Sequence, residues 1–443
     1  MTDVLGAALP EDWSVDRLKK VVTYLSRGTA PEYVDDGPIR AISQAANQYG
    51  YLDWSRTRFH SYKGPASELK GYLEANDILV NSTGKGTLGR VGFFDGAPDN
   101  IPCMADSHVT IVRTDNRVAN SRFTYYWLNS QTFQDYIHSA LIVGATNQIE
   151  LNRERLSNAP LPIPSIEEQR RIADFLDTET ARIDRFASTN ERLLERLAER
   201  RATAVIDEVS GGSEIQKRRS TLAWLEEVPQ SWDEVRVGLL ARMGSGHTPS
   251  RSRREWWQEC TIPWITTGEV QQVRDDRAEV IVETREKISE IGLQNSAAEL
   301  HPKGTVVLCR TASAGYSAVM GHDMATSQDF VTWTCGPRLE PFYLLWCLRA
   351  MRQDLLGRLA MGSTHKTIYV PDLQALRIPL PPTRKEQVDI VRRIRKNNER
   401  VDRLMDRVRQ QSILLAERRR ALITAAVTGQ FDVSTASDRG VAG

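Results

Sequence analysis

Two stretches of the chain carry the same helical signature. Between the proline clusters PLPIP (160–164) and IPLPP (378–382) and the glycines Gly211 and Gly429, no further proline or glycine occurs, so nothing interrupts a helix there. Apolar residues recur at three- and four-residue steps: Ile172, Leu176, Ile183, Phe186, Leu193 and Leu197 in the first stretch, Ile390, Ile394, Val401, Leu404 and Leu415 in the second. The spacing predicts two helices of about 42 to 45 residues, each about 65 Å long, with Ser165 and Thr383 as N-caps. So narrow a stripe on so long a helix calls for a partner helix. Residues 166–210 carry 8 Arg and Lys against 11 Asp and Glu, whereas 384–420 carry 13 against 6. These opposite balances make each helix the simplest partner of the other; separate packing of each on its own domain is the alternative.

Ahead of each helix the apolar runs are short and bounded by turn residues. DILVNS (77–82), RVGFF (90–94), HVTIV (108–112), TVVLC (305–309) and DFVTW (329–333) read as strands. Helical stretches around Tyr125, Tyr126, Trp127 and Leu128, and around Leu344, Leu345, Trp346 and Leu348, follow them, and their aromatics read as core. The landmarks repeat. PEDW (10–13) returns as PQSW (229–232), 219 positions on; GATNQ (144–148) and IEEQRRI (166–172) return 218 positions on as GSTHK (362–366) and RKEQVDI (384–390). The chain is therefore expected to be two tandem copies of about 218 residues, each a mixed, β-rich α+β domain followed by a long helix. The boundaries fall at 1–158, 159–212, 213–376 and 377–430, with a flexible tail at 431–443.

Composition narrows the function. Of 443 residues, 40% are apolar and 26% charged, which is globular. No apolar run approaches a membrane span and the acidic start does not resemble a signal peptide, so a cytoplasmic protein without membrane contact is expected. With 58 basic and 57 acidic residues, any nucleic-acid binding must come from local patches. The five cysteines include no CxxC pair and the seven histidines no HExxH, so no metal site is expected.

Several motifs imitate catalytic ones. Gly84, Gly86 and Gly89 satisfy GxGxxG, but a dinucleotide fold needs a helix after the third glycine, and the chain continues as the strand-like RVGFF. There is no Walker A sequence, no GxSxG elbow and no Asn/Asp-Pro-Pro-aromatic loop of an amino-methyltransferase. A non-catalytic recognition or scaffolding protein remains.

A domain ending in GATNQ or GSTHK, then LPIPSIEEQRRIADFLD or IPLPPTRKEQVDIV opening a long helix, the whole occurring twice, closely resembles the specificity (S) subunit of type I restriction-modification systems. The second helix departs from the pattern at RRIRKNN (392–398). The resemblance covers nearly the whole chain and implies two target recognition domains separated by an antiparallel, coiled-coil-like helix pair. It further implies a subunit with no catalytic residues that reads a bipartite, asymmetric site in double-stranded DNA and docks two copies of a modification (methyltransferase) subunit. That partner would carry S-adenosylmethionine for adenine N6 methylation. A restriction/translocase subunit carrying ATP and Mg would join in the full complex, and no cofactor would sit on this chain.

Candidate DNA-contacting residues follow from loop chemistry: Asn81, Thr83, Lys85, Thr87 and Arg90 in the first domain, and Arg310, Thr311 and Ser313 at the aligned loop of the second. Thr146, Asn147 and Gln148, with Thr364, His365 and Lys366, form the other repeated polar loop. Arg56, Arg58, Lys63, Arg251, Arg253 and Arg254 are phosphate candidates. Ile172, Leu176, Ile183, Phe186, Leu197, Ile390, Ile394, Val401, Leu404 and Leu415 are expected to pack the helix pair. A coiled-coil scaffold that never touches DNA is the competing reading, and a fused enzyme a third.

Overall fold

The computed structural model describes residues 3–48, 50–84, 86–143, 149–212, 214–361 and 366–433. The first mixed domain contains strands β1 (Val22–Arg27), β2 (Ile39–Ile42), β3 (Arg58–His60), β4 (Asp77–Asn81), β5 (Val91–Phe94), β6 (Cys103–Ala105) and β7 (Val109–Thr114), then helix α1 (Ser121–Asn129). The long helix α2 (Ile166–Val209) follows. The second domain contains β8 (Ala241–Ser245), β9 (Ile262–Ile265), β10 (Glu286–Ile288), β11 (Val306–Cys309), β12 (Ser317–Met320), β13 (Ala325–Thr326), β14 (Phe330–Cys335) and α3 (Pro341–Ala350), and then α4 (Arg384–Val427). Two compact units result, Met1–Glu191 with Arg409–Gly443, and Arg192–Val408. Each unit thus holds one mixed domain and a part of both long helices.

The repeat read from sequence is a repeat of topology. One antiparallel sheet runs β1-β7-β4-β5 in the first unit, and β8-β14-β11-β12 matches it in the second, extended by Val280–Ile281. A smaller sheet pairs β2 in parallel with β6, and β9 in parallel with β13. The five expected strands and both aromatic helices are present. Trp127, Tyr126 and Phe123 in one unit, and Tyr343, Trp346 and Leu345 in the other, are buried as core. The proline clusters are themselves edge strands: Pro160–Ile163 pairs with Ser14–Arg17, and Arg377–Leu380 with Asp233–Arg236, positions where a missing N–H does no harm.

Both long helices have 44 residues. Ser165 Oγ and Thr383 Oγ1 accept the amides of Glu168 and Glu386 at 3.2 Å, the S/T-x-x-E arrangement of a capped start. One turn in, a buried glutamine ties each helix to its domain. Gln169 Oε1 accepts Asn120 N at 2.8 Å while its Nε2 donates to Val118 O and Pro164 O at 3.2 and 3.0 Å. Gln387 accepts Glu340 N at 2.8 Å and donates to Arg338 O at 3.0 Å. At the other end, Gly211 and Gly429 turn the chain at φ +73° and +70°. A Cβ on Gly429 would lie 2.4 Å from Pro10, and one on Gly211 2.3 Å from Pro229, with Trp13 and Trp232 close behind. PEDW and PQSW are therefore sockets for helix ends, and PEDW, at the start of the first repeat, receives the helix that closes the second.

Within each unit the two helices run antiparallel. In the first, Ile172 and Leu176 share a core with Ile423, Ala426 and Val427; in the second, Val205 and Val209 share one with Ile390 and Ile394. The ion pair Asp184–Arg419 (3.1 Å) of the first unit is repeated, 218 positions on, as Asp402–Arg201 (3.1 Å) of the second. The first follows the expected charge balance, as does Glu208–Arg393 (2.7 Å); the Arg201 pair reverses it. Of the expected packing residues, Ile172, Leu176, Ile183, Ile390, Ile394 and Val401 are buried and Leu197 and Leu415 half-buried, but Phe186 is 50% and Leu404 42% exposed. At about 100° per residue, Phe186 lies about 60° round from Ile183, whereas Asn190 lies only about 20° away. The seam accordingly takes Asn190, whose Nδ2 donates to Ser412 Oγ at 3.2 Å, and takes Met405 rather than Leu404.

Candidate nucleic-acid interface

The polar loops gather at one end of the main sheet in each domain. In the first, the turn after β4 (82–90) meets the turn after β2 (43–48) and the approach to β7 (106–108). Thr83 bridges Glu150, and Leu151 N donates to Ser82 O at 2.8 Å. The segment 144–148 leads into these last two residues, and Thr146, Asn147 and Gln148 lie outside the described residues, as does Lys85. In the second domain, Ile368 N donates to Arg310 O at 2.8 Å, so the chain emerging from GSTHK meets the turn after β11 in the same way. Thr364 and His365 are outside the described residues; Lys366 is exposed, with Nζ 3.2 Å from Leu356 O.

The structure sorts the remaining candidates. Asn81 is fully buried. Its Nδ2 donates to Gln44 O at 3.1 Å and its Oδ1 accepts Asn47 Nδ2 at 2.9 Å, so the amide supports a loop and has nothing left for a base edge. Strand alternation gave no warning, because β4 is buried on both faces. Thr83 Oγ1 sits 2.7 Å from His108 Nδ1 and 3.4 Å from Gln44 Oε1; Thr87 Oγ1 is 3.2 Å from the same oxygen. Arg90 donates to Gln48 Oε1 at 2.9 Å and Gly86 O at 3.1 Å. Gly84, Gly86 and Gly89 all have positive φ. They shape a tight turn into β5, not a helix start, so the phosphate cradle of a dinucleotide fold is not formed.

The second domain fills the matching corner differently. Thr311 Oγ1 and Ser327 Oγ donate to the two carboxylate oxygens of Asp329, and Arg310 Nε to Gln328 O at 3.0 Å; Ser313 is half-buried in the same turn. Gln328, exposed, accepts Thr248 Oγ1 at 2.5 Å.

The outlying basic residues are exposed. Arg56 pairs with Asp53 at 2.8 Å, and hydrogen bonds from Ser55, then Arg56, hold the Asp53 carboxyl below its ordinary range. Arg58 stacks 3.8 Å above the Tyr33 ring, while Lys63 and Arg254 are open to solvent. Arg251 pairs with Glu286 at 2.8 Å and stacks 4.5 Å over Trp257; Arg253 lies 3.8 Å from Glu255. An exposed arginine in such a pair can exchange its carboxylate for a phosphate at little cost. Sequence reasoning missed Gln44, His108 and Gln328. Nothing but their place beside strand ends marks them, and that place depends on sheet order. Among the described residues no group of three or more His, Cys, Asp or Glu is arranged to hold a metal ion, and no helix is long and apolar enough to cross a membrane.

Comparison with known proteins agrees with this architecture. The pattern of the family described as "Type I restriction modification DNA specificity domain" matches twice, at residues 10–195 and 229–410. Over 96% of the chain, the sequence is 20% identical to a specificity subunit ascribed to the type I restriction enzyme MjaX of Methanocaldococcus jannaschii, covering 95% of that protein. It is 20% identical over 283 residues to the EcoR124I/EcoR124II specificity subunit of Escherichia coli, covering 62% of this chain and 63% of that one. Among solved structures, a chain from a study of complex assembly and conformational transition of the type I R-M system superposes with a TM-score of 0.73, at 18% identity over 96% of this chain and 99% of that one. The HsdS subunit of Thermoanaerobacter tengcongensis superposes at 0.55, with 18% identity over 96% and 98%.

Proposed function

The chain belongs to the family of type I restriction-modification DNA specificity subunits, and from that premise we propose that it reads a bipartite, asymmetric site in double-stranded DNA for a complex whose chemistry lies on other chains. The observation that carries the reading is the pair of sheets with one strand order whose matching corners hold different polar residues: Gln44, Thr83, Thr87 and His108 in one, Arg310, Thr311, Gln328 and Asp329 in the other. The same frame with different donors and acceptors presents two half-sites with two different base sequences.

Two copies of a modification subunit dock on this chain in this reading, because a near-repeat of ion pairs and caps offers one partner equivalent surfaces twice. That subunit brings S-adenosylmethionine. A restriction/translocase subunit, bringing ATP and Mg, joins through it. This chain supplies recognition and no catalytic group. Of the sequence candidates, Thr83, Thr87, Arg90, Arg310, Thr311, Ser313 and Lys366 stand beside the reading corner, Arg56, Arg58, Lys63, Arg251, Arg253 and Arg254 serve phosphates, and Lys85, Thr146, Asn147, Gln148, Thr364 and His365, outside the described residues, are kept as candidates on their side-chain chemistry alone.

The test is an exchange. Replacing residues 1–158 with another recognition domain should change one half of the methylated sequence and leave the other intact, with methylation seen only when the modification subunit is present. Methylation by the isolated chain, or a change in both halves together, overturns the proposal. A scaffold that never touches DNA would leave the methylated sequence unaltered.

A further inference from the structure

The buried amide of Asn81 leads to a neighbour that it holds in place. Asn47 and Asn81 are both fully buried, and Asn47 Nδ2 donates to Leu79 O at 3.0 Å and to Asn81 Oδ1 at 2.9 Å. Asn81 Nδ2 in turn donates to the backbone carbonyl of Gln44 at 3.1 Å. The Gln44 side chain is held separately, with Oε1 3.2 Å from Thr87 Oγ1, whose proton is shared with Thr83 O at 3.1 Å, and 3.4 Å from Thr83 Oγ1, which also meets His108 Nδ1 at 2.7 Å. Gly84 makes room for it, since a Cβ there would lie 2.3 Å from that oxygen. One end of the amide is thereby anchored at a corner lined by His108, while Nε2 has no protein partner among the described residues. Gln48, one turn along, differs: its Nε2 donates to Ala45 O at 2.6 Å and its Oε1 accepts from Arg90, so both ends are committed.

Resting on the DNA-reading function proposed above, we infer that Gln44 is a base-reading side chain of the first domain and that Asn81 and Asn47 are its positioning residues. A neutral amide adds little attraction for a phosphate, but held at backbone and side chain it discriminates between base edges. With Oε1 engaged by hydroxyls, Nε2 serves an acceptor on the major-groove edge, such as guanine O6 or N7 or thymine O4. The threonine contacts and the space left by Gly84 bias the rotamer in advance, so less side-chain freedom is lost on binding.

The experiment uses the full chain assembled with its modification subunit and a library of random duplex DNA, sequenced after methylation. Gln44→Ala should lose roughly two- to tenfold discrimination, the worth of one hydrogen bond, at one base position of one half-site, leaving the other half unchanged as an internal measure of folding and assembly. Gln44→Glu, of the same size, should shift that position toward the amino-bearing bases, cytosine or adenine. Asn81→Ala should weaken discrimination at the same position and no other. Wild-type base preferences in both Gln44 variants, or a uniform loss of methylation without change of preference, would overturn the assignment. Failure of the wild-type complex to select a split site would instead remove the function on which it rests.

Discussion

The glutamines one turn into the long helices should be among the costliest side chains to replace. Gln387→Leu keeps most of the volume and removes the polar end. Glu340 N–H then loses its acceptor and Arg338 C=O its donor, in a site where the side chain is fully covered. Each orphaned group costs about 1 to 3 kcal/mol, so the variant should lose about 2 to 6 kcal/mol. Gln169 serves three backbone groups where Gln387 serves two, so Gln169→Leu should cost about 1 to 3 kcal/mol more. Because the chain forms two units, a single unfolding curve can merge two transitions. Urea unfolding should therefore be followed by native-state hydrogen exchange, reading amides of α1 and α3 separately. The glutamate variants sharpen the test. In Gln169→Glu a carboxylate would face two carbonyl oxygens in a dry site, which raises its folded pKa above the ordinary ~4.3. A raised acid pKa means that the folded state binds the proton more tightly; stability is therefore full below ~4.3 and is lost as pH rises through the folded value. A leucine variant within about 0.5 kcal/mol of wild type, or a glutamate variant indifferent to pH, would show that the clamp does not hold helix to domain.

Gly429→Ala should cost about 1 to 3 kcal/mol, from positive φ and from the clash with Pro10; pairing it with Pro10→Ala should recover the steric part, measured by thermal unfolding. Burial holds the His301 imidazole below its ordinary pKa of 6.5, so the stability it permits is full above 6.5 and lost as pH falls through the lower folded value. Melting of wild type between pH 7 and 5 should show a loss that His301→Gln reduces, and identical profiles would refute this. One heptad inserted after Glu191, where the first unit's part of α2 ends, and another after Arg409, the first residue of that unit's part of α4, lengthens each helix by about 10 Å. On the proposed reading of a split site, it should add about 3 base pairs of unread spacer to the methylated sequence and leave the bases of both proposed half-sites unaltered; an unchanged spacer would mean that the helices do not set it.

The chain's own order already contains its repeat, its long helices, their serine and threonine caps and the glycines that end them, because these depend on spacing and on conformations that single residues prefer. Hydrogen bonds to the next turn, and φ values open to glycine, are local facts. Ser165, Thr383, Gly211 and Gly429 were legible for that reason. The residues chosen as packing partners fared unevenly, Ile183 turning inward and Phe186 outward, since a stripe on 44 residues leaves its exact facing to the neighbouring helix. Asn81 illustrates the larger gap. Its position at a strand end and its amide chemistry match those of a base reader, yet the turn from β2 closes over it, and Gln44, 37 residues earlier, takes the half-buried place beside Thr83 and Thr87. Only the tertiary structure decided that, and only it seated Gly429 against Pro10 from the opposite end of the chain. Contacts between residues so far apart follow from how complete surfaces fit, and no periodicity along the chain encodes that fit.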